Sequence, residues 1–228
     1  MSPHDLERII FVPVIHTDKE SIERARKMVR EIKPDVVAVE LDKDRYNQLL
    51  NQNQEADISK PVTGDPTQDM LNQIALLLKN FGQQTGAGVG QEMLAAIEEG
   101  RAHGSKIALV DRPIQATMYA ISQVPLEEIY KLTYSVPETE EDIANIGVQG
   151  LLAMLKDDAK VDELLAEFRK EFPRLTEALI DQRDDYVASA LHAILNDVEG
   201  KIVAVLGAGH IEGVTRILKE RLRSDAAG

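Results

Sequence analysis

A chain of 228 residues with 43% hydrophobic and 29% charged residues has the composition of one globular domain, which sets aside disordered, collagen-like and membrane-spanning classes. Lys and Arg number 26 against 39 Asp and Glu, a net charge of −13; no Lys/Arg-rich block is present to neutralise a phosphate backbone, so nucleic acid is not expected as a partner. Cys is absent, so disulfides, thiolate metal sites and a Cys nucleophile are excluded, and any metal falls to His, Asp or Glu.

The first apolar run, Ile9 to Ile15, is β-branched and aromatic, the pattern of a strand covered on both faces. It ends at His16. Asp18 is placed to cap a helix in which Ile22, Ala25, Val29 and Ile32 recur at helical spacing until Lys33-Pro34 stops it. Val36 to Val39 is the next buried strand, ending at Glu40, and the strand-helix-strand unit makes these two strands parallel. Residues 43–54 continue as a polar helix, and 55–66 read as loop. A helix is expected from Thr67 through Leu77, then a glycine-rich stretch over 82–90, then a helix from near Glu92 to His103-Gly104. Ile107 to Val110 is a third buried strand, ending at Asp111-Arg112. From Pro113 to Asn196 only helical patterns occur. Ile202 to Leu206 is the fourth strand, followed by Gly207-Ala208-Gly209-His210 as a tight glycine turn and a last helix carrying Val214, Ile217, Leu218 and Leu222. The fold class is therefore α/β, a mainly parallel sheet flanked by helices with a long all-helical insertion before the last strand. We read residues 1–228 as a single domain, with an α/β core at about 9–112 and 200–222 and the insertion at about 113–197.

Four strands thus end at His16, Glu40, Asp111-Arg112 and, past the glycine turn, His210; in parallel α/β sheets ligands bind outside the carboxyl ends of the strands. A strand-terminal Asp or Glu is by itself more often a helix cap or ion-pair partner. Imidazole with carboxylate, however, is what a divalent transition metal takes where thiolate is missing. Arg183 adds a separate clue, because at 100° per residue it falls in a stripe formed by Leu175, Leu179, Tyr186, Val187, Ala190 and Ile194. A guanidinium on that face either snorkels to the helix edge or pairs with Glu40, Asp111 or a bound anion, and Asp184 borders the same face.

His16-Thr17-Asp18-Lys19-Glu20-Ser21, Lys33 to Asp42 with Arg45-Tyr46, Glu92-Met93-Leu94-Ala95-Ala96, Leu109-Val110-Asp111-Arg112, Arg183-Asp184 and Val205 to His210 resemble, in order, the motifs of the TraB/PrgY family. The resemblance covers roughly residues 9–217 and is weakest over 55–90 and 125–170. It implies a role in shutting down a peptide pheromone, and a wider kinship with the Tiki metalloproteases and erythromycin-esterase-like hydrolases. Those relatives use two Gly-x-x-His motifs and a glutamate, with manganese or cobalt implicated. The second motif is intact as Gly207 to His210. The first departs, since Pro13-Val14-Ile15-His16 has Pro where Gly is usual. The glutamate maps onto Glu92. The resemblance thus implies His16, His210 and Glu92 as metal ligands for manganese or cobalt, with zinc left open. Glu92, Glu40, Arg112 and Arg183 are the candidate catalytic groups, and Asp111, Asp184 and Arg45 are further residues of the cleft. Family members often carry C-terminal membrane helices; this sequence holds no spanning segment, so it reads as cytoplasmic as given, or as membrane-associated if it is a piece of a longer protein.

The expected activity is metal-dependent hydrolysis of a peptide or small amide substrate, in which the ion acidifies a water, Glu92 or Glu40 acts as ligand or base, and Arg112 or Arg183 holds the substrate carbonyl or carboxylate. The alternative is a non-catalytic peptide-binding or regulatory protein using the same cleft; a homo-oligomer is compatible with either. A dinucleotide fingerprint at Gly207 to Gly213 lacks the strand that should follow it, the 82–90 stretch lacks a Gly-Lys-Ser/Thr ending, and there is no Gly-x-Ser-x-Gly elbow.

Overall fold

The computed structural model describes residues 3–14, 19–51, 90–135 and 158–227. His16, the expected helix over Thr67–Leu77 and the glycines at 82–88 lie outside these residues. β1 (Ile9–Val14), β2 (Val36–Val39), β3 (Lys106–Leu109) and β4 (Ile202–Gly207) form one fully parallel sheet in the order β1-β4-β2-β3. The strands are those expected to within a residue or so. β1 and β2, joined by the first helix, are parallel but not neighbours, because β4 inserts between them: Val12 and Val39 both pair with Val205.

Helices α1 (Lys19–Ile32), α2 (Lys43–Leu50), α3 (Gln91–Ala102), α4 (Ile114–Ser122), α5 (Leu126–Ser135), α6 (Asp158–Glu171), α7 (Pro173–Thr176), α8 (Gln182–Asp197) and α9 (Ala208–Ala227) complete the described chain. α1 stops where expected, at Lys33, whose φ of 49° no regular helix continues. Every described secondary-structure element between 113 and 197 is a helix, as the periodicity requires. Going from β1 to β2 to β3 the chain moves along the sheet in one direction under α1 and α3. It then returns to β4 through α8 on the opposite face, as right-handed crossovers demand. Alternation along the strands divides the core accordingly. Val37, Val39, Val203 and Val205 meet Ala25, Val29, Met93, Ala96 and Ile97 on one face. Val36, Ala38, Ile202, Ala204 and Leu206 meet Val187, Ala188, Leu191, Leu195, Val214, Leu218 and Leu222 on the other.

Two expectations change. β3 is an edge strand, exposed at Lys106 and only half-buried from Ile107 to Leu109, because no fifth strand covers its outer side among the described residues. The second change is in the stripe around Arg183. Residues Glu177–Asp181 form a π turn between α7 and α8, which inserts one residue into the helical phase. The buried line then runs Asp184, Val187, Ala188, Leu191 and Leu195, while Tyr186 is 45% exposed.

Candidate active site

α3 and α8 each lead back to the amino end of a following strand, so both begin at the rim formed by the strands' carboxyl ends. Glu40 continues β2 by donating its backbone N–H to Val205, and shares the alternation of Val36 and Ala38, which turns its side chain towards α8 and α9. Only 1% exposed, its Oε2 accepts from the N–H of Gly207 at 2.7 Å, where β4 passes directly into α9. There is no glycine turn between them: Ala208 opens the helix and His210 stands in its first turn. A carboxylate at a helix amino end is favoured by the unpaired amides there.

Arg183 reaches in from the start of α8. Its Nε and Nη2 bond Asp111 Oδ1 and Oδ2 at 3.2 and 2.8 Å, Nη2 also bonds Glu40 Oε1 at 2.5 Å, and Nη1 lies 3.3 Å from His210 Nε2. Burial works against its charge, but Glu40 and Asp111 together raise the guanidinium's pKa above its ordinary value. Arg45, from α2, adds a second guanidinium 2.9 Å from Asp111 Oδ2. His210 Nδ1 is 2.6 Å from Asp184 Oδ1, and its Nε2 is 3.5 Å from Glu40 Oε1. A carboxylate acceptor at Nδ1 calls for the proton there, which leaves the Nε2 lone pair facing Glu40 and Arg183. Burial opposes a second proton on the ring, yet the Glu40 carboxylate and the bond to Asp184 outweigh it and raise the imidazole's pKa. Asp184 itself is pushed up by burial, with the His210 bond acting the other way.

Glu40, Asp111, Arg183, Asp184, His210 and Arg45 therefore come together. Arg112 does not join them through its side chain. Its backbone N–H bonds Asp111 Oδ1 at 2.9 Å, but its guanidinium bonds Thr117 Oγ1, Gln182 Oε1 and the Ala178 carbonyl. Glu92 is buried in the first turn of α3, which topology puts at the same rim. His16 lies outside the described residues.

Gly213 was not legible as a site residue, although it makes room for Asp184. A Cβ at position 213 would stand 1.9 Å from Asp184 Oδ2, so only glycine lets that carboxylate lie against α9 and reach His210. A glycine inside a helix, costing about 1 kcal/mol relative to Ala, is the signal that points to such close approach. Asp42 Oδ1 caps α2 by accepting from Asp44 and Arg45, while its buried Oδ2 has no hydrogen-bond partner among the described residues.

Comparison with known proteins decides the kinship. The profile described as the TraB/PrgY/gumN family matches residues 2–224. The chain belongs to this family. It is similar to an uncharacterized protein of Methanocaldococcus jannaschii, 31% identical over 93% of this chain and 53% of that protein. It is also similar to TraB domain-containing proteins of Bos taurus and Homo sapiens, 26% and 25% identical over 93% of this chain and 63% of theirs. The chain thus spans between half and two thirds of the length of these relatives. Among the described residues no helix is long and apolar enough to cross a membrane.

Imidazole and carboxylate are ligands of the kind manganese, cobalt or zinc accepts, and His210 Nε2 beside Glu40 is the one such pairing in the cluster among the described residues. Among the described residues no three His, Asp or Glu side chains stand ready as a ligand group.

Proposed function

We propose that this TraB-family chain is a hydrolase of peptide or related amide bonds, with its reaction centre at Glu40, Arg183 and His210 and a divalent ion, manganese or cobalt, as cofactor. One observation carries the reading. Buried Asp184 holds His210 through Nδ1 and turns Nε2 towards Glu40, the arrangement in which an outer carboxylate fixes the tautomer of an imidazole ligand.

His210 would hold the ion, joined by His16 and Glu92 as the family resemblance implies. When bound, such an ion lowers the pKa of a coordinated water towards about 7. The remaining roles belong to the chain. Arg183 offers N–H donors to a substrate carbonyl oxygen as it gains charge. Asp111 and Arg45 keep that guanidinium in place, Glu40 is the proton acceptor, and Asp184 keeps the imidazole oriented.

A second reading is favoured by one specific distance. Arg183 Nη1 stands 3.3 Å from His210 Nε2, so a guanidinium already occupies the approach to the imidazole. On that reading the rim binds a peptide without turnover. The experiment is metal analysis of protein purified without chelator or His tag, beside manganese- and cobalt-supplemented peptidase assays of wild type, His210→Ala and Glu40→Gln. The hydrolase reading expects bound metal and activity in wild type and a loss of about 10–100-fold or more in the variants. A wild type inert with every metal and peptide tried would favour the binding reading.

A further inference from the structure

Arg112 is 94% buried, being 6% exposed, and its guanidinium is held entirely by neutral acceptors: Thr117 Oγ1 at 2.9 Å, Gln182 Oε1 at 2.8 Å and the Ala178 carbonyl. A guanidinium has five N–H donors, so two remain without an acceptor among the described residues, and no carboxylate there lies within ion-pair distance. Asp111, its sequence neighbour, gives both oxygens to Arg183 and one to Arg45 as well. Burial, and then repulsion by Arg183, lower the pKa of Arg112, with the attraction of the more distant Asp111 carboxylate acting the other way. A buried cation without a counter-ion is costly to keep, whereas an anion delivered from outside relieves that cost.

The same guanidinium lines a cavity of about 540 Å³ between α4, the start of α5 and the π turn. That volume lies in the range of small-ligand sites. Ala116, Ala120, Val124 and Pro125 give it an apolar wall, and Tyr119, 70% exposed, stands at its mouth. Its other charged lining residues, Arg174 and Glu177, pair with each other at 2.9 Å, so Arg112 supplies the unmatched charge.

We infer that this cavity is a binding site for a carboxylate carried on a short apolar group. One N–H donor remains on each terminal nitrogen of the guanidinium, which suits a carboxylate as acceptor, and the alanine, valine and proline wall takes the apolar part. A more highly charged phosphate would meet only one unmatched cation and the Glu177 carboxylate in the same wall. A peptide carboxyl terminus and a free organic acid share the required chemistry. The site is defined by binding alone, so it stands or falls apart from the proposed hydrolysis.

The test is titration calorimetry with three probes: N-acetyl-alanyl-leucine, its C-terminal amide, and 4-methylpentanoate. They are titrated into wild type and into Ala116→Glu, with thermal unfolding of both proteins. Ala116 is exposed, lies in the first turn of α4, where an acidic side chain suits the helix, and lines the cavity, so Glu there supplies a counter-ion from within the chain. The expected result is that wild type binds an acid at least tenfold more tightly than the amide, and that Ala116→Glu loses this binding while its melting temperature holds or rises. Tighter binding of the dipeptide than of 4-methylpentanoate identifies a peptide terminus as the ligand; the reverse identifies an organic acid. Equal affinity for acid and amide, no binding of either acid at millimolar concentration, or unchanged affinity in Ala116→Glu would overturn the inference.

Discussion

The two faces of the sheet are built from the same strands but do different work. Under α1 and α3 the packed side chains are Val, Ile, Leu, Met and Ala, the buried polar groups of these two helices are Ser21 and, at the rim, Glu92, and the ion pairs that join the helices, such as Arg30 with Glu99, lie outside the core. Under α8 and α9 a row of small residues crosses three neighbouring strands, Ala108, Ala38 and Ala204 in register, and at the end of that face the apolar contacts give way to Glu40, Arg183, Asp184 and His210. The comparison teaches that a buried charge cluster is tolerated where backbones approach closely and Glu40, Asp111, Arg183, Asp184 and His210 are bonded to one another, while the opposite face supplies most of the remaining apolar burial.

The strongest way to break the charged face is Arg183→Ala, which leaves Glu40 and Asp111 buried with much of their compensation gone. It should cost about 3–5 kcal/mol in urea unfolding, and adding Glu40→Gln should recover part of the loss. Next comes Gly213→Ala. The new methyl group displaces Asp184 from His210, and the overpacking should cost about 1–3 kcal/mol. In the proposed hydrolase it should also lower activity, because the imidazole loses its anchor. On the apolar face, Ile97→Val removes one methylene from a fully buried site and should cost about 0.5–1.5 kcal/mol, with metal content and any activity unchanged.

The smallest effect belongs to the surface of that face. The hydrogen bond from Arg30, set against some burial and helped by His103, holds the Glu99 carboxyl down at about 2. A depressed carboxylate pKa contributes stability above its ordinary value near 4.5, and loses it as pH falls towards 2. Glu99→Gln should therefore lower the melting temperature slightly at neutral pH and not at all near pH 2; the exposed Arg30 keeps the difference small.

How much of this was legible in the sequence follows from the range of the interactions involved. The strands were readable because uninterrupted β-branched runs have no other comfortable home, and strand ends located Glu40, Asp111 and the approach to His210. Strand order was not readable: the insertion of β4 between β1 and β2 depends on pairing across nearly the whole chain. Helical periodicity found Arg183 but misplaced Tyr186, because a π turn leaves no mark in a count that assumes 100° per residue. Arg112 was expected to face the same cleft as Arg183. Its guanidinium went instead to Thr117, Gln182 and Ala178, partners supplied by the helical region, where sequence gave no contacts to reason from.

The central place of β4 also has a consequence for the order of events during synthesis. Ile9 pairs with Ile202 and Val14 with Gly207, so β1 waits for its only described neighbour until almost all of the described chain has left the ribosome. Arg8, just before β1, bonds the Gly200 carbonyl at 3.3 Å, a clasp that also cannot close earlier. During that interval β1 and β2 each carry an open, apolar edge towards the gap that β4 will fill, which is the kind of edge that recruits foreign strands. Contacts of such long sequence separation predict slow folding. A nascent chain arrested before residue 202 should therefore be unable to close its sheet and should depend on chaperones, whereas release of the last helix should bring compaction in a single late step.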